Sequence, residues 1–167
     1  WVSYPEHAKL GGAVPVLVET TAAEGFRLTP EKLRAAVTPK TKALVLCSPS
    51  NPTGAAYTAE QLRALADVIA EGDYWVIVDE IYAQLVYGGF QQKSILEVAP
   101  ELKSRTIIVD GVSKTFAMTG WRIGWMLAPA HVCTACDTIQ GQATTNPTTV
   151  AQWAALAALT GPWEPME

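Results

Sequence analysis

A lysine and an arginine eight positions apart give this 167-residue sequence its chemical character. Lys114 and Arg122 lie in the string Ser-Lys-Thr-Phe-Ala-Met-Thr-Gly-Trp-Arg over residues 113 to 122. A lysine amine forms an imine with an aldehyde and, being compact, can afterwards carry a proton, which a guanidinium cannot do. Arginine instead pairs bidentately with phosphate. Upstream, Asp79 ends the apolar run Tyr-Trp-Val-Ile-Val and opens Asp-Glu-Ile-Tyr, which closes on Tyr82. A carboxylate buried there without a partner is costly, so Asp79 calls for a cation, and a protonated ring nitrogen would serve. Asn51 lies inside Ser-Pro-Ser-Asn-Pro-Thr-Gly, residues 48 to 54. Amine, guanidinium, carboxylate, phenol and amide together suit a pyridine ring that bears an aldehyde and a phosphate tail.

Each of these residues also has a plainer reading when taken singly. Asp79 is then a strand-end residue capping the next turn, Tyr82 a half-buried aromatic, and Lys114 a solvated charge. The loop around Asn51 resists that treatment, because two Ser/Asn-Pro steps and a glycine around one amide are more than a generic turn needs. Glu80, on the opposite face of its strand from Asp79, reads as structural.

The elements that must position these groups alternate between strand and helix, which predicts parallel βαβ units and an α/β domain. Val14 to Glu19 is expected as a short strand. Thr29-Pro30-Glu31 reads as an N-cap with proline at the first helical position, opening a helix to about Val37. Lys42 to Cys47 is an apolar strand stopped by the prolines of the Asn51 loop. Thr58 and Gln61 form a capping box ahead of a helix with Leu62, Leu65, Ala66 and Ile69 on one face, ended by Gly72. Tyr74 to Val78 is expected as a strand buried on both faces, followed by strands at Thr106 to Val109 and Trp121 to Ala128. Pro129 to Gly141 and Pro147 to Leu159 read as helices. Asn51, Asp79 and Gly111 to Lys114 each fall just past a strand's C-terminal end, the side on which open parallel sheets bind ligands.

The composition, 49% hydrophobic and 17% charged, is that of a globular chain with a sizeable core. No apolar run approaches the ~18 to 20 residues that span a bilayer, and scattered basic residues with a net charge of −4 argue against a nucleic-acid footprint. The first residues, Trp-Val-Ser-Tyr-Pro, carry no targeting signal, and the chain is expected to begin within a longer protein. Cys133 and Cys136 share a C-x-x-C spacing, but no second ligand pair accompanies them, so no metal site is expected. With Cys47 they are read as small free thiols, which fits a reducing cytoplasm.

At the quoted motifs the chain resembles the class I and II pyridoxal-phosphate aminotransferases of fold type I, closest to the aspartate-aminotransferase-like subgroup of bacteria. The resemblance implies a three-layer αβα domain on a mostly parallel sheet, with Trp121 to Ala128 running opposite to its neighbours. It implies pyridoxal 5'-phosphate held by Trp1, Asn51, Asp79, Tyr82, Ser113, Lys114 and Arg122. Lys114 would be the Schiff-base lysine and proton shuttle, Asp79 the partner of the ring nitrogen, and Tyr82 with Asn51 the donors to the ring oxygen. Trp1 would stack on the ring, and Ser113 and Arg122 would hold the phosphate. Trp121 and Trp125 look like packing residues beside Arg122. One departure stands out, since many relatives carry a serine three residues before the lysine where this chain has Gly111. Gln140 to Thr149 resembles a segment of the dimer interface, so a homodimer is implied, acting on an amino acid and a 2-oxo acid. Residues 1 to 167 would then be part of the large, cofactor-binding domain, lacking the N-terminal arm and the small domain and inactive alone. A β-eliminating carbon–sulfur lyase of the same fold, or the aminotransferase-like effector domain of a transcription regulator, are the competing readings.

Overall fold

The computed structural model describes residues 1–163 and shows a four-stranded sheet flanked by helices. Strands β1 (Ala43–Cys47), β2 (Trp75–Asp79) and β3 (Thr106–Gly111) run parallel, and β4 (Gly124–Leu127) pairs antiparallel with β3, in the spatial order β1-β2-β3-β4. The helices are α1 (Ser3–Leu10), α2 (Pro30–Ala36), α3 (Ala59–Ala70), α4 (Ile95–Val98), α5 (Val112–Thr115), α6 (Ala130–Ala143) and α7 (Thr149–Thr160).

Local chemistry sets the helix starts where it was expected to. Thr29 accepts from the Lys32 N–H ahead of Pro30, and Thr58 and Gln61 cap each other reciprocally, satisfying amides that the first turn leaves without partners. Leu62, Leu65, Ala66 and Ile69 then face the sheet and pack with Leu33, Val76, Val78, Ile95, Leu102 and Ile108 in one core.

Three expectations need correction. Val14 to Glu19 is not a strand: a strand needs a hydrogen-bonding neighbour, and none of β1 to β4 pairs with it. Val14, Val16 and Leu17 stand exposed, and Val18 alone of the four valine and leucine side chains there packs on the core. The second strand is buried on one face only, through Val76 and Val78, while Trp75 and Ile77 are half-buried. Helix α6 reaches that second face where His131 packs against Trp75, ring centroids 5.8 Å apart and planes tilted by 57°. The last strand starts at Gly124 instead of Trp121, because Thr119–Trp121 forms a 3-10 turn and Arg122 adopts the left-handed conformation, φ 56° and ψ 45°. Trp121 is consequently exposed and only Trp125 is part of the packing. Cys47 is half-buried at the strand end.

Candidate active site

Because β1, β2 and β3 are parallel, their C-terminal ends share one edge of the sheet, and the loops leaving that edge enclose a cleft. Cys47 stands in register with Asp79, which in turn stands in register with Val109. Trp1, Tyr4, Cys47, Asn51, Asp79, Ile81, Tyr82 and Lys114 line the cleft. Five of the seven residues expected to meet a cofactor are thus brought together from separate elements.

Asn51 is presented by a loop that closes on itself, with the Ser50 and Gly54 amides donating to Ala55 and Ser50 carbonyls at 2.8 Å each and with cis peptides before Pro49 and Pro52. Gly54 has φ +70°, a conformation that favours glycine. The Asn51 amide donates to the Tyr82 hydroxyl at 3.1 Å. Tyr82 reaches it because the chain turns directly after β2, the Ala83 N–H donating to the Glu80 carbonyl at 2.7 Å. Lys114 stands on α5, anchored by the fully buried Val112, and its Nζ lies 5.8 Å from the centre of the Tyr82 ring.

Within the chain, the donors that meet Asp79 in the cleft are neutral. The Tyr4 hydroxyl donates to Oδ2 at 2.7 Å and the Ile81 N–H to Oδ1 at 3.1 Å. The second contact is the turn-capping role that Asp79 could have had by itself, so capping and cleft-lining coexist. Burial, with the bond to Asp79 and the nearness of Cys47 adding to it, pushes the Tyr4 phenol far above its ordinary value, and Tyr4 therefore keeps its proton. The Cys47 thiol is pushed up mainly by burial. Burial also raises the neighbouring Asp110 carboxyl, partly offset by the Gly111 N–H that donates to it at 2.6 Å. Glu80 is turned away from the cleft toward Ser94, its carboxyl raised by burial.

Ser113 and Arg122 do not line the cleft. They are tied to each other through Thr119, whose hydroxyl donates to the Ser113 carbonyl at 3.0 Å and whose carbonyl accepts from Arg122 Nη1 at 2.9 Å. Ser113 uses its backbone in that contact. The missing serine at Gly111 has a steric reason: a Cβ there would stand 2.7 Å from the Ile123 carbonyl oxygen and 3.0 Å from Gly124 Cα. The antiparallel β4 approaches too closely for any side chain without a backbone shift.

Sequence reasoning passed over Tyr4 and Cys47. The available signals were weak: Tyr4 follows Trp1 by three residues, a helical spacing that places both on one side, and Cys47 is the last residue of a strand parallel to the one ending in Asp79. Among the described residues no cluster of His, Cys, Asp and Glu is suited to a metal ion, and no helix is long and apolar enough to cross a membrane.

Comparison with known proteins agrees with this fold. The sequence is 51% identical over 167 residues to the aspartate aminotransferase of Geobacillus stearothermophilus, covering all of this chain and 42% of the relative. It is 51% identical over 160 residues to the aspartate/prephenate aminotransferase of Thermus thermophilus, covering 96% of this chain and 40% of that protein. The fold matches the crystal structure of the aspartate aminotransferase from Rhizobium meliloti with a TM-score of 0.96 at 44% identity, over 99% of this chain and 42% of the other. It matches the aromatic aminotransferase from Pyrococcus horikoshii with a TM-score of 0.95 at 40% identity, over 99% and 45%. The chain therefore spans about two fifths of the length of these relatives. The family description "Aminotransferase class I and II" matches residues 1–165, and the chain, an αβα layer structure on a mixed sheet, belongs to that family.

Proposed function

We propose that the protein of which this chain is part is a pyridoxal-phosphate-dependent aminotransferase, and that residues 1 to 167 form part of its large, cofactor-binding domain. The observation that carries this reading is the convergence of Lys114, Asp79 and the Asn51–Tyr82 pair on one cleft. The donor set fits the cofactor: an amine for its aldehyde, an anionic acceptor for its ring N–H, and an amide and phenol for its ring oxygen. When bound, the pyridine ring supplies the sink for electrons released at the substrate's α-carbon. Lys114 Nζ would be the amine that holds the cofactor's aldehyde and the group that moves the proton at that carbon. Asp79 would hold the proton on the ring nitrogen, Tyr82 and Asn51 would donate to the ring oxygen, and Trp1 would cover the ring. Arg122 and Ser113, joined through Thr119, would hold the phosphate.

The substrates under this proposal are an amino acid, aspartate by analogy with the relatives, and a 2-oxo acid. A cytoplasmic homodimer completes the reading, supported by an α6–α7 region that leaves Ile139, Val150 and Trp153 exposed. The relatives are named aminotransferases, which favours this over the lyase and effector-domain readings.

The test uses the full-length protein. Borohydride should trap pyridoxal phosphate on Lys114, and Lys114→Ala should abolish the adduct; an adduct that survives this change means another lysine is the nucleophile. Asp79→Ala should retain some cofactor while turnover of aspartate with 2-oxoglutarate falls by ~10² to 10⁴-fold or more. A wild-type protein that binds the cofactor but transaminates no amino acid overturns the proposed activity.

A further inference from the structure

Tyr4 has no part in the reaction just proposed, yet its surroundings are not those of a packing aromatic. It stands in the first turn of α1, a helix that buries none of its residues. Among the described residues, the bond from its hydroxyl to Asp79 Oδ2 is the only hydrogen bond joining α1 to any part of the chain beyond residue 13. At 2.7 Å it is short, and it links positions 75 residues apart.

A carboxylate at a strand end turns freely about its side-chain bonds unless both oxygens are held. For Asp79, Oδ1 is held by the N–H of Ile81, two residues along the same turn. That contact cannot set the second oxygen independently of the turn. Tyr4 supplies the second restraint from a different element. It is also a donor that keeps its proton, since burial and the contact itself both disfavour the phenolate. Tyr4 and Cys47 line the same cleft as the carboxylate.

From this geometry we infer that Tyr4 is a positioning residue whose hydroxyl holds the Asp79 carboxylate in the single orientation that can receive a ring N–H from the cleft. The inference rests on the pyridoxal-phosphate reading of the site, in which Asp79 is the acceptor for that N–H. Tyr4 acts through Asp79 and touches no reacting atom.

The experiment is a double-mutant cycle in the full-length protein, with cofactor affinity as the readout: apoprotein is titrated with pyridoxal phosphate and followed by protein fluorescence. Tyr4→Phe deletes one oxygen and keeps the ring, so α1 retains its packing. It should weaken cofactor binding about tenfold, the usual weight of a hydrogen bond to a charged group. In an Asp79→Ala background the same change should alter affinity by less than about twofold, because no carboxylate is left to orient. Unchanged affinity in Tyr4→Phe alone overturns the inference. So does an equal loss in both backgrounds, which would mean that Tyr4 merely seats α1 and Trp1 against the cleft. A wild-type protein without affinity for pyridoxal phosphate, or an Asp79→Ala variant that binds as tightly as wild type, brings down the cofactor reading and this inference with it. An effect of Asp79→Ala without one of Tyr4→Phe removes the inference alone.

Discussion

Helices α3 and α7 are both 12 residues long, and they meet the rest of the molecule in opposite ways. Helix α3 carries glutamate, glutamine, arginine and aspartate on one side, and turns Leu62, Leu65, Ala66 and Ile69 into the core. Helix α7, with one glutamine in its interior, is apolar nearly all round; it buries only Ala151 and Ala155 and leaves Val150, Trp153, Leu156 and Leu159 exposed. Amphipathic sequence has one solution, apolar side inward, whereas a helix apolar on every side needs cover on every side. The contrast extends to the whole chain: the sheet face under α2 to α4 is sealed, while α6, α7 and residues 13 to 20 present large apolar side chains outward. Exposed apolar side chains in such numbers are what an interaction face would require.

The largest effect expected on this contrast comes from the sealed side. Ile69 is fully buried, and Ile69→Ala should cost roughly 2 to 5 kcal/mol in denaturant unfolding, through lost burial and the cavity left behind. A loss under about 1 kcal/mol would mean that the α3 face is no better sealed than α7. Thr58→Ala, which removes one half of the capping box at the start of α3, should cost about 1 kcal/mol by the same measurement. On the open side, Trp153→Ala should change the unfolding free energy of the isolated chain by no more than ~0.5 kcal/mol. It should instead reduce concentration-dependent self-association in sedimentation velocity; a large loss of stability would show that Trp153 is packed after all.

The smallest effect is a pH dependence at the margin of the sealed side. The Lys32 ammonium, with Thr21 assisting, holds the Glu24 carboxyl down at about 2. The unfolded chain therefore binds this proton more tightly than the folded one. The stabilisation is complete above the ordinary carboxylate value of 4.5 and is lost as pH falls from there toward about 2. Glu24→Gln should flatten the stability profile in that window, with a change that added salt diminishes. An identical acid profile in the variant would show that the ion pair contributes nothing in solution.

Sequence alone determined whatever depends on neighbours a few residues apart. The caps at Thr29 and Thr58 work through contacts of three residues, and the core face of α3 through a repeat of three and four, so both could be read in advance. The gathering of Asn51, Asp79 and Lys114 was legible too, because parallel strands end on one edge and each residue lies at its strand's end or within four residues of it. Tertiary structure alone decided what depends on distant partners. Val14 to Glu19 has strand-like composition, but a ladder needs a second chain segment, and none of the four strands takes that place. The bond between Tyr4 and Asp79 crosses 75 positions and leaves no periodic trace. The exclusion of a side chain at Gly111 comes from β4, which pairs back onto β3 at Gly124. Local propensity acts within a turn or two of chain, whereas these three outcomes are set by which surfaces the folded chain brings within a few ångströms of each other.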